Sequence, residues 1–288
     1  MRIVKNISIL STAVMACTIV ANANAISINK LDFADVSSFT LVGSTTNSSD
    51  YLSLTQTTGQ AGAAYYNTRI GTQLSNGDNI SFSSSFKFQI TDPSGSSDND
   101  GQGADGFSFI LNGSDKLLGG AGGGIGYSGI DNSLAIEFDT WNNGFVDGGN
   151  GNHIGINLDG DLNSEVRSNY NKRLNDGDIW SAWIDYNGID DLLSVRLSDG
   201  NDRPATALLS YQVDLTSFFN GSDILAGFTS GTGAAGGNHK ILEYQFDASQ
   251  DSANVPEPSS LMLSAFGLLG FCFFQKKKNQ ELIARQKA

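Results

Sequence analysis

Between Glu137 and His153 the chain sets three carboxylates, an amide and an imidazole close together: Glu137, Asp139, Asn143, Asp147 and His153. The acids follow strand spacing. Extended backbone turns successive side chains to opposite faces, so Glu137, Asp139 and Trp141 share one face while Leu134, Ile136 and Phe138 share the other. Residues 153–158 repeat the pattern, with His153 and Asn157 opposite Ile154, Ile156 and Leu158. The connecting segment 142–152 is rich in Gly and Asn, residues that accept tight turns around an ion.

Two acids side by side on a strand face repel each other, and burying either as an ion is costly. A cation removes both penalties. An oxygen set of Asp139, Asn143, Asp147 and a backbone carbonyl suits calcium. A mixed set of Glu137, Asp139, Asp147 and His153 suits manganese or another transition metal. The same residues also read as an acidic strand end with a solvated loop and a surface histidine, and spacing alone leaves both readings open.

Such a cluster has to be held by strands, and the chain supplies them. Helical signals are scarce: there are 4 Pro against 34 Gly, and no long stretch has apolar residues at helical spacing. About a dozen strand candidates alternate apolar and polar residues between turn residues. They are 39–43, 51–56, 63–66, 80–90, 106–112, 134–141, 153–158, 180–186, 192–197, 207–213, 224–228 and 240–246. This pattern predicts an all-β, two-sheet antiparallel sandwich of jelly-roll kind. Segment 92–103 is polar and rich in Gly, Ser and Asp, and is read as a mobile loop.

Two terminal segments lie apart from this domain. Residues 1–25 carry Arg2 and Lys5, an apolar run, and then Ala21-Asn22-Ala23-Asn24-Ala25, the pattern of a signal peptide. Val14-Met15-Ala16-Cys17 is a poor lipoprotein box because Met15 fits badly before the small residue. In 251–288, Val255-Pro256-Glu257-Pro258-Ser259-Ser260 leads into a short apolar run and then Lys276-Lys277-Lys278. This order resembles the PEP-CTERM sorting signal of Gram-negative bacteria. The resemblance implies cleavage by a dedicated, exosortase-like membrane protease and delivery to the cell envelope, the outer surface or the medium. A plain membrane anchor is the alternative, although an uncharged run of about 16 residues is shorter than the roughly 20 that span a bilayer.

Residues 26–250 remain as one domain. Both cysteines, Cys17 and Cys272, lie in the terminal segments, so the domain has no disulfide. Residues 26–255 hold 10 Lys and Arg against 28 Asp and Glu, a net of −18. That balance disfavours nucleic acid and anionic membranes as partners. It fits a neutral ligand, or an acidic surface that takes up divalent cations.

Several separated segments resemble the L-type lectins, the legume-lectin-like carbohydrate-binding sandwiches of concanavalin-like fold. They are Ser81-Phe82-Ser83-Ser84-Ser85-Phe86, Ala104-Asp105-Gly106-Phe107-Ser108-Phe109, Gly122-Gly123-Gly124-Ile125-Gly126-Tyr127, the run from Ala135 to Asn143, His153-Ile154-Gly155-Ile156, and the run from Ala226 to Gly233. The resemblance implies two adjacent metals, with Glu137, Asp139, Asp147 and His153 on the transition metal. Asp139, the Trp141 carbonyl, Asn143 and Asp147 would hold calcium. For sugar it implies Asp105, the N–H of Gly123, Asn143 and the loop at Ala234 and Ala235, with a cis peptide at Ala104–Asp105. The chemistry is sound on its own terms: a carboxylate accepts from two neighbouring hydroxyls, and an amide and a backbone N–H donate. Trp141 or Phe145 could stack under the ring. Neutral hexose-containing glycans are the expected partners.

Two rival readings remain. A jelly-roll glycoside hydrolase needs a further carboxylate along the same strand, because retaining cleavage sets two carboxyl groups about 5 to 5.5 Å apart. Positions 141 and 142 are Trp and Asn instead. His153 and His239 are the only histidines, and no nucleophilic arrangement emerges, so no enzymatic activity is expected. The second rival is a matrix or adhesion protein that keeps the fold without binding sugar. Exposed sheet edges also make a homodimer possible.

Overall fold

The structure is a computed structural model that describes residues 26–249. The expected signal peptide and sorting segment lie outside the described residues. In chain order the first strands are β1 (Ile26–Lys30), β2 (Phe39–Gly43), β3 (Thr46–Asn47), β4 (Leu52–Thr55), β5 (Ala61–Tyr66), β6 (Ser81–Gly95), β7 (Gly106–Asn112) and β8 (Ser133–Asp139). They continue with β9 (His153–Leu158), β10 (Val166–Asn169), β11 (Ile179–Asn187), β12 (Leu192–Ser198), β13 (Leu209–Gln212), β14 (Leu225–Gly231) and β15 (Ala235–Ser249). A single helical turn, α1 (Leu215–Phe218), precedes β14 and is capped by the Asp214 carboxylate, which accepts from the Ser217 N–H.

Two antiparallel sheets result, and they form the expected jelly-roll sandwich. The eight-stranded sheet runs β13-β12-β11-β6-β15-β4-β3, with β1 also paired to β15. The seven-stranded sheet runs β10-β9-β8-β7-β14-β5-β2. Alternating residues from both inner faces fill the space between them. Phe88 of β6 meets Phe107 of β7 at 4.7 Å between ring centroids, and Phe107 lies parallel to Phe138 of β8 at 4.8 Å. Anchoring Phe138 inward fixes the register of β8, so Glu137 and Asp139 must face outward from the sandwich.

That outer face is not left to solvent. Segment 117–130 folds back over it, and Ile125, Tyr127 and Ile130 pack against Ala63, Tyr65, Ile110 and Ala135 in a second apolar cluster. Thr229 Oγ1 donates to the Ile125 carbonyl at 2.9 Å and pairs with the Ser108 hydroxyl at 2.7 Å, which ties the loop to β7 and β14. The approach is close enough to require glycine at 231. A Cβ there would lie 2.6 Å from the Gly122 carbonyl oxygen and 2.9 Å from the Ile125 Cα, both backbone atoms.

Three details differ from the sequence reading. The 134–141 strand stops at Asp139, because its Oδ1 accepts from the Trp141 N–H at 2.7 Å and turns the chain, so Trp141 leaves the strand face. Segment 92–103 is no free loop: β6 continues to Gly95 opposite Ala235, and Ser97 and Gln102 form a bridge. Strands β1 and β10 are not among the sequence candidates: β1 has only the short alternation Ile26-Ser27-Ile28 next to the expected signal peptide, and β10 has a single apolar residue, Val166, and buries no residue fully.

Gly231→Ala should destabilise the domain by about 1–3 kcal/mol through overpacking. Urea unfolding measures this, and an unchanged midpoint would mean that the loop lifts freely.

Candidate functional site

The β8–β9 ladder pairs Asp139 with His153 and Glu137 with Gly155. All four residues therefore lie on the outer face, beneath the folded-back loop. Gly155 is needed here, since a Cβ would meet Ser164 Oγ and stand 2.6 Å from Glu137 Oε1. Its absence lets the Glu137 carboxylate lie across β9. Glu137 Oε2 accepts from the Tyr127 hydroxyl at 2.5 Å, while Oε1 accepts from Ser164 Oγ at 3.0 Å and lies 3.2 Å from His153 Nε2.

Asp147 reaches the same place from the 142–152 loop, where its carboxylate accepts from the Asn143 N–H. Arg167 of β10 braces this loop, donating to the Val146 carbonyl at 2.8 Å. Ligand atoms of Asp139, Asp147 and His153 all lie within 4.8 Å of one another, and all three residues are buried. Glu137 stands outside that triad and joins it through His153.

Burial pushes the Asp139 carboxyl well above the usual carboxylate range, with Glu137 and Asp147 adding repulsion. Burial also raises Asp147, though the Asn143 N–H offsets part of the effect. His153 Nδ1 is buried and has no hydrogen-bond partner among the described residues. Clustered acids at 2–4 % exposure, beside an imidazole nitrogen with no partner, are a poor set of neighbours for one another. They are a suitable donor set for a divalent cation.

The second group of candidates converges alongside. The Ala104–Asp105 peptide is cis. The Asp105 N–H donates to the Gly231 carbonyl, and its own carbonyl accepts from the Thr140 N–H, one residue beyond Asp139. Asp105 Oδ2 is buried without a hydrogen-bond partner among the described residues. Burial raises this carboxyl to about 7; the Gly233 amide opposes the shift and Asp147 adds to it. Gly123, in the folded-back loop, lies against Asn143: a Cβ on it would sit 2.7 Å from Asn143 Nδ2. Gly233 similarly borders Asp105 Oδ2 and Gly122.

Asp105, Gly123, Asn143 and the 232–234 turn therefore form one neighbourhood. Ala234 is exposed in it. Ala235 is different: it opens β15 opposite Gly95 and is buried, so its methyl group is not presented to a ligand. Of the two candidate aromatics, Trp141 is partly covered, and Phe145 stands 94 % exposed on the 142–152 loop.

The legume lectin domain model matches residues 26–262. The chain belongs to the legume lectin family. The PEP-CTERM protein-sorting motif matches residues 254–278, and it indicates export with processing to the cell surface or the medium. Among curated relatives, the L-type lectin-domain containing receptor kinase VIII.1 of Arabidopsis thaliana is 30 % identical over 179 residues, covering 60 % of this chain and 24 % of the relative. The probable inactive receptor kinase III.1 of the same plant is 29 % identical, covering 69 % of this chain and 34 % of its own. This legume lectin thus spans only a quarter to a third of those relatives.

Among solved structures, the winged bean acidic lectin complexed with methyl-alpha-D-galactose is 26 % identical, with a TM-score of 0.67 over 78 % of this chain and 98 % of that one. The lectin from Bauhinia forficata in complex with GalNAc is 27 % identical, with a TM-score of 0.65 over 79 % and 100 %. Together these matches support an exported, non-enzymatic carbohydrate-binding protein.

Sequence reasoning gave no role to Tyr127, Ser164, Arg167 or Asp98. Tyr127 lay within a quoted motif, but only its position over Glu137 reveals the contact. Asp98 Oδ2 accepts from the Asn142 N–H at 3.0 Å and clasps this legume lectin's acidic loop from outside.

Stripped of cations, the site carries a pH signature. Burial holds the carboxyls of Asp139, Asp147 and Asp105 above the ordinary aspartate range in the folded state. The folded state then binds more protons than the unfolded state, and stability falls as pH rises from about 4 upward. In chelator, differential scanning fluorimetry should give a higher melting temperature at pH 5 than at pH 8. The gap between chelated and cation-supplied protein should widen over the same interval, because cations bind the deprotonated acids.

Proposed function

We propose that the chain is an exported, calcium-dependent lectin that binds neutral, hexose-containing glycans at the cell surface or in the extracellular matrix. The observation that carries this reading is Asp105 Oδ2, a buried acceptor without a hydrogen-bond partner among the described residues, bordered by Gly233 and close to the Gly123–Asn143 pair. A sugar would complete it: two vicinal hydroxyls donate to the carboxylate, while the Asn143 amide and the Gly123 N–H donate to hydroxyl oxygens of the same sugar. The plain loop from Gly231 to Gly237 offers only Gly, Thr and Ala, so its contribution, including that of Ala234 and Ala235, would come from the backbone.

Calcium would be held by Asp139, Asp147, Asn143 and the Trp141 carbonyl, and manganese or a similar ion by Glu137, Asp139, Asp147 and His153. Once bound, the cations supply the positive charge that lets these acids stay ionised while buried. The chain's own contribution is positional. Asn143 gives its N–H to Asp147 and its amide to the sugar side, so neutralising Asp147 also fixes Asn143. Neutral ligands are favoured because the domain's acidity repels uronic or sulfated chains. The neutral sugars named for the winged bean and Bauhinia lectins support the same class.

Three outcomes are expected. Asp139→Ala should abolish cation retention and lower the melting temperature, because this residue belongs to both donor sets; native protein free of calcium and transition metal by elemental analysis would sink the metal assignment. Asp105→Asn should keep the fold and the metals yet lose about 1.5–3 kcal/mol of glycan binding, at least tenfold in affinity. A glycan array read with and without calcium measures that loss, and equal signals would exclude Asp105 from the site. Protein recovered outside the cell should lack the segment after Pro256 if an exosortase-like protease acts there. Mass spectrometry finding an intact C terminus would favour a simple anchor.

A further inference from the structure

The opposite side of the sandwich carries a residue that its strand pattern does not call for. Along β11, Trp180, Ala182, Ile184 and Tyr186 are buried toward the core, so Ser181, Trp183 and Asp185 face outward. By register, Trp183 is flanked by Ser85 on β6 and Arg196 on β12, near the middle of the eight-stranded sheet. Its neighbours on this face are polar. Trp180, by contrast, stacks on Phe88 at 6.4 Å inside the core. Trp183 is only partly covered, and no ring contact or side-chain hydrogen bond engages it among the described residues.

A cavity of about 220 Å³ opens beside the Trp183 indole, lined also by Lys87, Ser181, Asn201, Glu243 and Gln245. The charges here are all paired. Lys87 Nζ lies 2.9 Å from Glu243 Oε1, and Asp185 Oδ2 is held by Arg196 at 2.9 Å and Arg203 at 2.6 Å. The patch thus keeps one positive charge in excess, from two arginines sharing one aspartate, on a strongly acidic domain. It combines one partly exposed aromatic ring with hydroxyl, amide, ammonium and carboxylate groups.

We propose that this face, centred on Trp183, is a second carbohydrate-binding surface, which seats a unit of a neutral polysaccharide against the indole without a cation. The indole covers the apolar C–H face of a pyranose, and the surrounding groups exchange hydrogen bonds with its hydroxyls. One excess positive charge on a strongly acidic domain is a weak attraction for a polyanion. A second copy of the chain fits poorly, since protein interface cores are depleted in charged residues and this patch has an ion pair beside its only large apolar side chain. Lying on the sheet opposite Asp105, the surface gives a single chain two glycan contacts on opposed faces. One molecule could then bridge two polymer strands.

The test is native affinity electrophoresis of the full-length, calcium-loaded protein through gels containing dextran, laminarin or galactomannan, with alginate as the anionic control. Asp105→Asn isolates the second surface from the first. At least one neutral polymer should retard Asp105→Asn. Adding Trp183→Ala should weaken that retardation roughly tenfold or more, about 1.4 kcal/mol, and Trp183→Phe should restore part of it; alginate should have no effect. The proposal fails if no neutral polymer retards Asp105→Asn, or if Trp183→Ala leaves retardation unchanged. It also fails if sedimentation shows that Trp183→Ala only splits a dimer. Failure of the Asp105 site would appear separately, as wild-type binding that Asp105→Asn does not reduce.

Discussion

Asp139 and Asp147 are held within 4.8 Å of each other and of His153, with Glu137 on the far side of that imidazole, all out of water on the outer face of the seven-stranded sheet, and most of the local architecture answers to that crowding of acids. A sheet cannot hold such acids by packing alone. Tyr127 and Ser164 each hydrogen-bond Glu137, and backbone N–H groups of Trp141 and Asn143 take Asp139 and Asp147. These bonds orient the carboxylates but do not neutralise them. The remaining repulsion makes the stability of the cluster depend on pH, suits it to a cation, and links it to the geometry of the neighbouring loops around Asp105.

The loops are arranged so that satisfying one group places the next. Asp139 ends β8 by capturing the Trp141 N–H, which begins the segment carrying Asn143 and Asp147. Asp147 captures the Asn143 N–H, which sets that residue against Gly123. Gly123 is in turn carried by a loop whose apolar residues seal the outer face of the sheet. Asp98 and Arg167 brace the acidic loop from two further directions. Removing any one contact therefore disturbs a chain of positions.

Much of this was readable in advance where a residue's role follows from its own strand. The strands 39–43, 106–112 and 153–158 were read with the bounds the structure gives, because each carries buried residues between clear turn signals. Segregation of Glu137 from Phe138 follows from period-two geometry alone. What stayed hidden depends on other parts of the fold. Trp141 seemed to extend β8, since nothing in the sequence announces that Asp139 will spend one oxygen on a turn. Segment 92–103 looked mobile from its composition, yet its anchors are Ala235 and Asn142, residues remote in sequence. Ala235 looked like a loop residue because Gly and Ala surround it, while pairing with Gly95 draws it into β15. Tyr127 and Ser164 meet Glu137 only once three separate segments are stacked.

β15 joins the two ends of the molecule. It starts at Ala235, beside the Asp105 loops, and runs 15 residues to Ser249, a span of roughly 45–50 Å at strand rise. β1 lies alongside its far half, with Ile26 opposite Ala248. Both ends of the described chain thus leave from the pole opposite the Asp105 loops. The strand acts as a mast: whatever grips the chain beyond Ser249 grips its foot, and the loops are carried at the tip. Cutting or lengthening the polypeptide at the foot changes how high the lectin stands without altering what it presents.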